Sequence, residues 1–136
     1  MLLVIDANIA LSSLIGGNIT DLVLSTKLDL IAPEKFFTEI GKHKAEILAR
    51  SKLSPLEFEV LFSLLEKKIW IISGDKFIDL LPKAEELLGE HKKDAAYIAL
   101  ALKFNCPFWS YEKRFKKFDK VESLTTEEVK AKLALL

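Results

Sequence analysis

The chain has 136 residues, half of them apolar, with 20 basic and 20 acidic side chains and no formal net charge. That is enough for one domain around one core, and the charge balance excludes a protein that coats nucleic acid by bulk charge, though not one with a local basic rim. No apolar run approaches the ~20 residues of a membrane span, and the single cysteine, Cys106, excludes an intrachain disulfide and a cysteine-based zinc site.

The N-terminus is apolar at once, without a basic lead or a small-residue cleavage site, so it does not read as a secretory leader. Cys106 before Pro107 reads as a buried filler in a protein of the reducing cytoplasm. Leu2–Ile5 is a short continuous apolar run, as expected of a strand covered on both faces. Asp6-Ala7-Asn8 breaks it, and residues 9–15 read as a helix ended by the turn Gly16-Gly17-Asn18. A second short helix is expected over residues 20–27, with Thr20 as N-cap. Residues 28–32 form the second strand, stopped by Pro33.

Residues 34–51 predict one amphipathic helix, with Phe36, Phe37, Ile40, Ile47 and Leu48 on one side and Glu39 and His43 on the edge of that stripe. Ser54-Pro55 with Glu57 is a capping-box start for a helix running to about Lys67. Its apolar residues Val60, Leu61, Leu64 and Leu65 suit either the core or a dimer contact. Residues 69–72 are the third strand. Residues 77–88 are helical with a bend at Pro82 and an end at Gly89. Residues 92–104 are the most apolar helix, residues 107–110 the fourth strand, and residues 112–118 a short basic helical piece. Residues 121–124 suit an edge strand, and Thr125 opens a last helix. Strands alternating with helices predict a single α/β domain over residues 1–136, three-layer α/β/α with a central mostly parallel sheet.

Four acids sit where solvated charges seldom do. Asp6 ends the first strand, Glu39 lies on an amphipathic flank, Asp94 opens the apolar helix, and Glu112 follows the fourth strand. Taken singly, each has a plain role: turn former, solvated flank, N-cap, first-turn acid. Taken together and without a basic partner in the core, they would repel unless a hard cation held them, and oxygen-only ligation favours Mg²⁺ or Mn²⁺. Such a cluster suits phosphodiester hydrolysis. His43 and His91 read as surface histidines, too far apart in sequence to form a ligand pair. Lys113, Arg114, Lys116 and Lys117 follow Glu112 directly, Lys92 and Lys93 precede Asp94, and Lys42 and Lys44 lie near Glu39. Basic residues beside acids suit a polyanion lying over a metal site, or else ordinary solvated faces.

Four motifs carry a family resemblance: residues 4–9 (VIDANI), residues 37–40 (FTEI), residues 93–101 (KDAAYIALA) and residues 107–115 (PFWSYEKRF). In this order and at these intervals they resemble the PIN-domain nucleases, including the VapC-type toxins of toxin–antitoxin pairs. The resemblance implies a cytoplasmic, Mg²⁺- or Mn²⁺-dependent ribonuclease. It implies that Asp6, Glu39, Asp94 and Glu112 are the catalytic metal-binding quartet, with Asn8 and Ser110 supporting them and Lys113, Arg114, Lys116 and Lys117 contacting RNA. It also implies a homodimer and a small antitoxin partner. The last acid of the family quartet is usually aspartate; glutamate stands here, and Asp119 is another nearby acid. The competing expectation is a catalytically degenerate PIN domain that binds RNA or protein. A phosphoacceptor or phosphatase sheet is a third, with Asp75 after the third strand as its only further acid and Asn8 where a phosphatase would need a second aspartate.

Overall fold

The computed structural model describes residues 1–16, 19–90 and 92–136. The predicted turn at residues 16–18 and His91 therefore fall wholly or partly outside the described residues. Five strands form one sheet: β1 (Leu2–Ile5), β2 (Asp29–Pro33), β3 (Ile69–Ile72), β4 (Phe108–Trp109) and β5 (Ser123–Leu124). Their order is β3-β2-β1-β4-β5 and every pairing is parallel. Leu3, Val4 and Ile5 are fully buried, as a strand covered on both faces must be.

The chain steps from β1 to β2 to β3 in one direction, then returns across the sheet to β4 on the other side of β1. Right-handed crossovers running in opposite directions put their helices on opposite faces. One face takes α1 (Ala7–Ile15), α2 (Ile19–Val23), α3 (Lys35–Lys42), α4 (Lys44–Arg50) and α5 (Pro55–Lys68). The other takes α6 (Leu81–Leu88) and α7 (Ala95–Phe104), and α7 lies across β1, β2 and β4. α8 (Thr126–Ala134) packs beside β5. The three-layer α/β/α architecture expected from the strand–helix alternation is the architecture found.

Several boundaries differ from the sequence expectation. The helix expected over residues 34–51 is two helices, broken at His43, where the backbone turns to φ −102°, ψ 8°. The weak helix former Gly41 precedes the break, and the His43 N–H reaches back only to Ile40 O, tightening the last turn. This lets α4 lie against α1. Thr20 is not an N-cap: it lies inside α2, and its hydroxyl donates 2.7 Å to Ser13 O near the end of α1. Pro82 bends nothing; it occupies the first turn of α6, after two 3-10 turns at Gly74–Lys76 and Ile78–Leu80. Gly89, at φ +59°, ends α6 as expected. Lys92–Asp94 is a 3-10 turn leading into α7, and Asn105 closes α7 in the left-handed conformation that asparagine tolerates. The basic piece is a 3-10 segment, Lys113–Lys117. The capping boxes at Ser54/Glu57 and Thr125/Glu128 both form. Among the described residues no helix is long and apolar enough to cross a membrane.

Candidate active site

The order of the sheet reverses between β1 and β4, and the carboxyl ends of those two strands meet side by side. In open parallel sheets ligands bind at such a switch point. The register Ile5↔Trp109 makes the next residues neighbours, and Asp6 N–H donates to Trp109 O at 3.0 Å. Ser110 Oγ then donates to Asp6 Oδ2 at 2.9 Å, and Asn8 N–H to Asp6 Oδ1 at 3.4 Å. Asp6 also caps α1 through that Asn8 contact, so the cap and ligand readings of its sequence position share one geometry.

A cleft of about 200 Å³ opens here, lined by Asp6, Asn8, Lys35, Glu39, Lys93, Asp94 and Glu112. The four acids of the sequence reading thus share one hollow although they come from four parts of the chain. The start of α7 does come round to the site edge. Asp6 is 7% exposed, and Ser110 beneath it is also buried. Burial pushes the Asp6 carboxyl up to about 6, against the lowering pull of Ser110 and the Asn8 N–H, with the Asp94 and Glu39 charges adding to the rise. Glu39 is half-buried and accepts from Tyr97 Oη at 3.1 Å. Burial, then the Glu39 and Asp6 charges, hold the Tyr97 phenol well above its ordinary value, so it stays a hydrogen-bond donor.

The expectation that the acids lack a basic partner is corrected. Arg114 turns inward: Nη2 donates to Asp94 Oδ2 at 2.5 Å and Nε stands 3.8 Å from Glu112 Oε2. Its guanidinium lies 4.9 Å from the Phe115 ring centroid. Nε is buried without a hydrogen-bond partner. Lys35, partly exposed, is a second cation at the cleft. Its ammonium donates to Lys93 O, lies 4.0 Å from Glu39 Oε1 and sits 5.2 Å from the Tyr97 ring centroid. Sequence reasoning passed over Lys35 and Tyr97. Their spacing held a signal: Lys35 is one helical turn before Glu39, and Tyr97 three residues after Asp94.

The remaining expected residues are placed unevenly. Asn8 is exposed, and its side-chain amide makes no hydrogen bond among the described residues. Lys113 and Lys117 are exposed. Lys116 is occupied elsewhere, donating to Ser123 O at 2.7 Å and to Glu128, where it ties the basic segment to β5 and α8. Asp119 is exposed and does not line the cleft.

The donor set fits a hard divalent cation by its chemistry. Asp6 is a buried carboxyl whose partners are neutral donors only, and none of the ion pairs among the described residues includes it. The other cleft acids offer oxygen alone. As they stand, no three or more His, Cys, Asp or Glu side chains among the described residues close on one point, and Arg114 draws Asp94 toward itself. Among curated proteins none matches the chain. The model of the PIN-domain family matches residues 4–134, and the chain belongs to that family, whose members are in general nucleases.

Proposed function

We infer that this protein is a ribonuclease that hydrolyses RNA phosphodiester bonds with Mg²⁺ or Mn²⁺ held by Asp6, Glu39, Asp94 and Glu112. The observation that carries the reading is Asp6: a carboxyl buried at the strand switch point, without a cationic partner among the described residues, beside three more carboxylates in one cleft. A divalent ion bound there supplies Lewis acidity at the phosphate and lowers the pKa of a water. The chain's own groups do the rest. Ser110 Oγ and the Asn8 N–H fix both oxygens of Asp6. The Tyr97 hydroxyl fixes Glu39. Lys35 and Lys93 at the cleft, with Lys113 and Lys117 beyond it, offer ammonium groups to the phosphates on either side of the cut. Glu112, the exposed acid of the quartet, tunes the site at its rim.

Cleavage of an end-labelled, mixed-sequence single-stranded RNA in Mn²⁺, Mg²⁺ and EDTA, with Asp94→Asn alongside, tests this. Metal-dependent cutting lost in the variant is expected. Cutting that persists in EDTA or in Asp94→Asn overturns the site.

The same motifs support a toxin role within a toxin–antitoxin pair, in the cytoplasm, with a small antitoxin as partner. Expression of the chain in a bacterial host should arrest growth, and Asp94→Asn should relieve the arrest. A homodimer is supported by α5, which exposes Leu56, Val60 and Leu64 at successive turns of one face while Leu65 is buried.

A further inference from the structure

A second hollow adjoins the acidic cleft, and Asn8 lines both. It has a volume of about 270 Å³ and lies between α1, α4 and the segment after β4. Successive residues of that segment serve different hollows: Tyr111 lines this one and Glu112 the acidic cleft. Leu11, Ile15 and Ile47 give the second hollow an apolar floor, and Tyr111, 45% exposed, gives it an aromatic wall.

The polar groups around it are mainly donors. Glu46 is the one acid, and both its oxygens are engaged, Oε2 by His43 Nδ1 at 3.2 Å and Oε1 by Arg50 Nη1 at 3.1 Å. These contacts fix the imidazole and the guanidinium at the rim and leave their other nitrogens to a ligand. The Asn8 amide and the Tyr111 hydroxyl make no hydrogen bond among the described residues.

We propose that this hollow is a nucleobase subsite. It takes the unpaired base of a nucleotide next to the phosphate held at the acidic cleft, stacked on Tyr111 and read at its edge by Asn8, His43 and Arg50. The inference rests on the ribonuclease reading and adds a substrate requirement to it. An apolar floor with an aromatic wall is how proteins hold single-stranded bases, and a base still paired in a duplex cannot enter. The break at His43 earns its place here, because it turns α4 so that His43, Glu46 and Arg50 face α1 across the hollow.

The test uses the whole chain in EDTA, so that nothing is cut, with single-stranded octaribonucleotides in which 2-aminopurine is walked through each position. Stacking on Tyr111 should quench the fluorescence at one position. Tyr111→Leu should lose that quenching and weaken binding about tenfold or more, the range for loss of one base–aromatic stack. Tyr111→Phe should keep both, and Asp94→Asn should keep the quenching. In Mn²⁺, Tyr111→Leu should raise KM for single-stranded RNA by a similar factor and scatter the cut positions. Unchanged KM and cut positions in Tyr111→Leu, with the wild type active, would overturn the subsite and leave the nuclease standing. Tyr111-dependent quenching in a protein that cuts no RNA would support the subsite and overturn the nuclease. Quenching at no position would overturn the subsite outright.

Discussion

Asp6→Asn should abolish cleavage and yet stabilise the metal-free protein. The Asp6 carboxyl ionises near 3.8 in a solvated reference state and is pushed up to about 6 in the fold, chiefly by burial. For an acid with a raised folded pKa, the folded state binds the proton more tightly than the unfolded chain does. The favourable contribution is therefore complete below pH 4, falls as pH rises from about 4 to about 6, and is gone above that. The difference of roughly two pK units corresponds to about 3 kcal/mol between the two ends of the window. Asparagine has no charge to desolvate and can still accept from Ser110 Oγ, whose lowering pull on the carboxyl is already contained in the raised value. Above pH 7 in EDTA the variant should thus be more stable by about 3 kcal/mol, or roughly 12 °C in Tm for a chain of this size. Urea unfolding of both proteins from pH 4 to 8 in EDTA measures this. The curves should converge near pH 4 and separate through pH 6. Saturating Mn²⁺ should reverse the order, because an ion at about a thousand times its Kd adds about 4.1 kcal/mol to the wild type alone. A variant less stable than the wild type at pH 7.5 in EDTA would refute the account of Asp6 as a charge buried without a cationic partner among the described residues.

Arg114→Met should tighten Mn²⁺ binding by roughly tenfold in calorimetry, since the guanidinium competes for Asp94 and Glu112 at the cleft; weaker binding would show that it organises the acids instead. Arg114→Lys should restore most of the wild-type affinity. Val60→Glu, on the exposed face of α5, should keep the circular dichroism of the folded chain and convert a dimer to monomer in light scattering, lowering Tm only by what association adds; an unchanged mass would move the contact off α5.

The sheet was legible because its signals are local. Leu2–Ile5 reads as a strand from its unbroken apolar run, and Asp6 as special because it ends that run. The acids could be picked out singly, but alternation of strands and helices leaves the strand order open, and the reversal that unites them is set by the return of the chain from β3 across the sheet to β4. The break at His43 was hidden because the apolar stripe continues in phase through it, from Ile40 to Ile47. Arg114 read as one more cation of a run offered to RNA or to solvent. Its inward turn depends on Phe115, which buries against Phe108 at 5.3 Å and sets the direction of the 3-10 segment. The helical spacings of Lys35 to Glu39 and of Tyr97 to Asp94 were legible, but the bonds Lys35 to Lys93 O and Tyr97 to Glu39 cross 58 residues and no period encodes them.

The aim of the site depends on a strand too short to hold itself. β4 has only two residues, and a slip of one position would turn Ser110 away from Asp6. Its register is fixed from outside. Phe108 stacks with Tyr97 at 5.7 Å and packs on Phe115, so the core of α7 and the basic segment both grip it. Trp109 Nε1 donates to Thr126 Oγ1 at 3.1 Å, which pins the strand to the start of α8. That start is in turn fixed by the Thr125/Glu128 capping box, and Glu128 also receives Lys116. These contacts hold the Glu128 carboxyl down to about 2, the Lys116 bond contributing most. Lys116 thus acts on the acidic cleft without touching it: it closes a loop from the basic segment through α8 and β4 to Ser110. A cation that sequence alone assigns to RNA serves here to hold Asp6 in line.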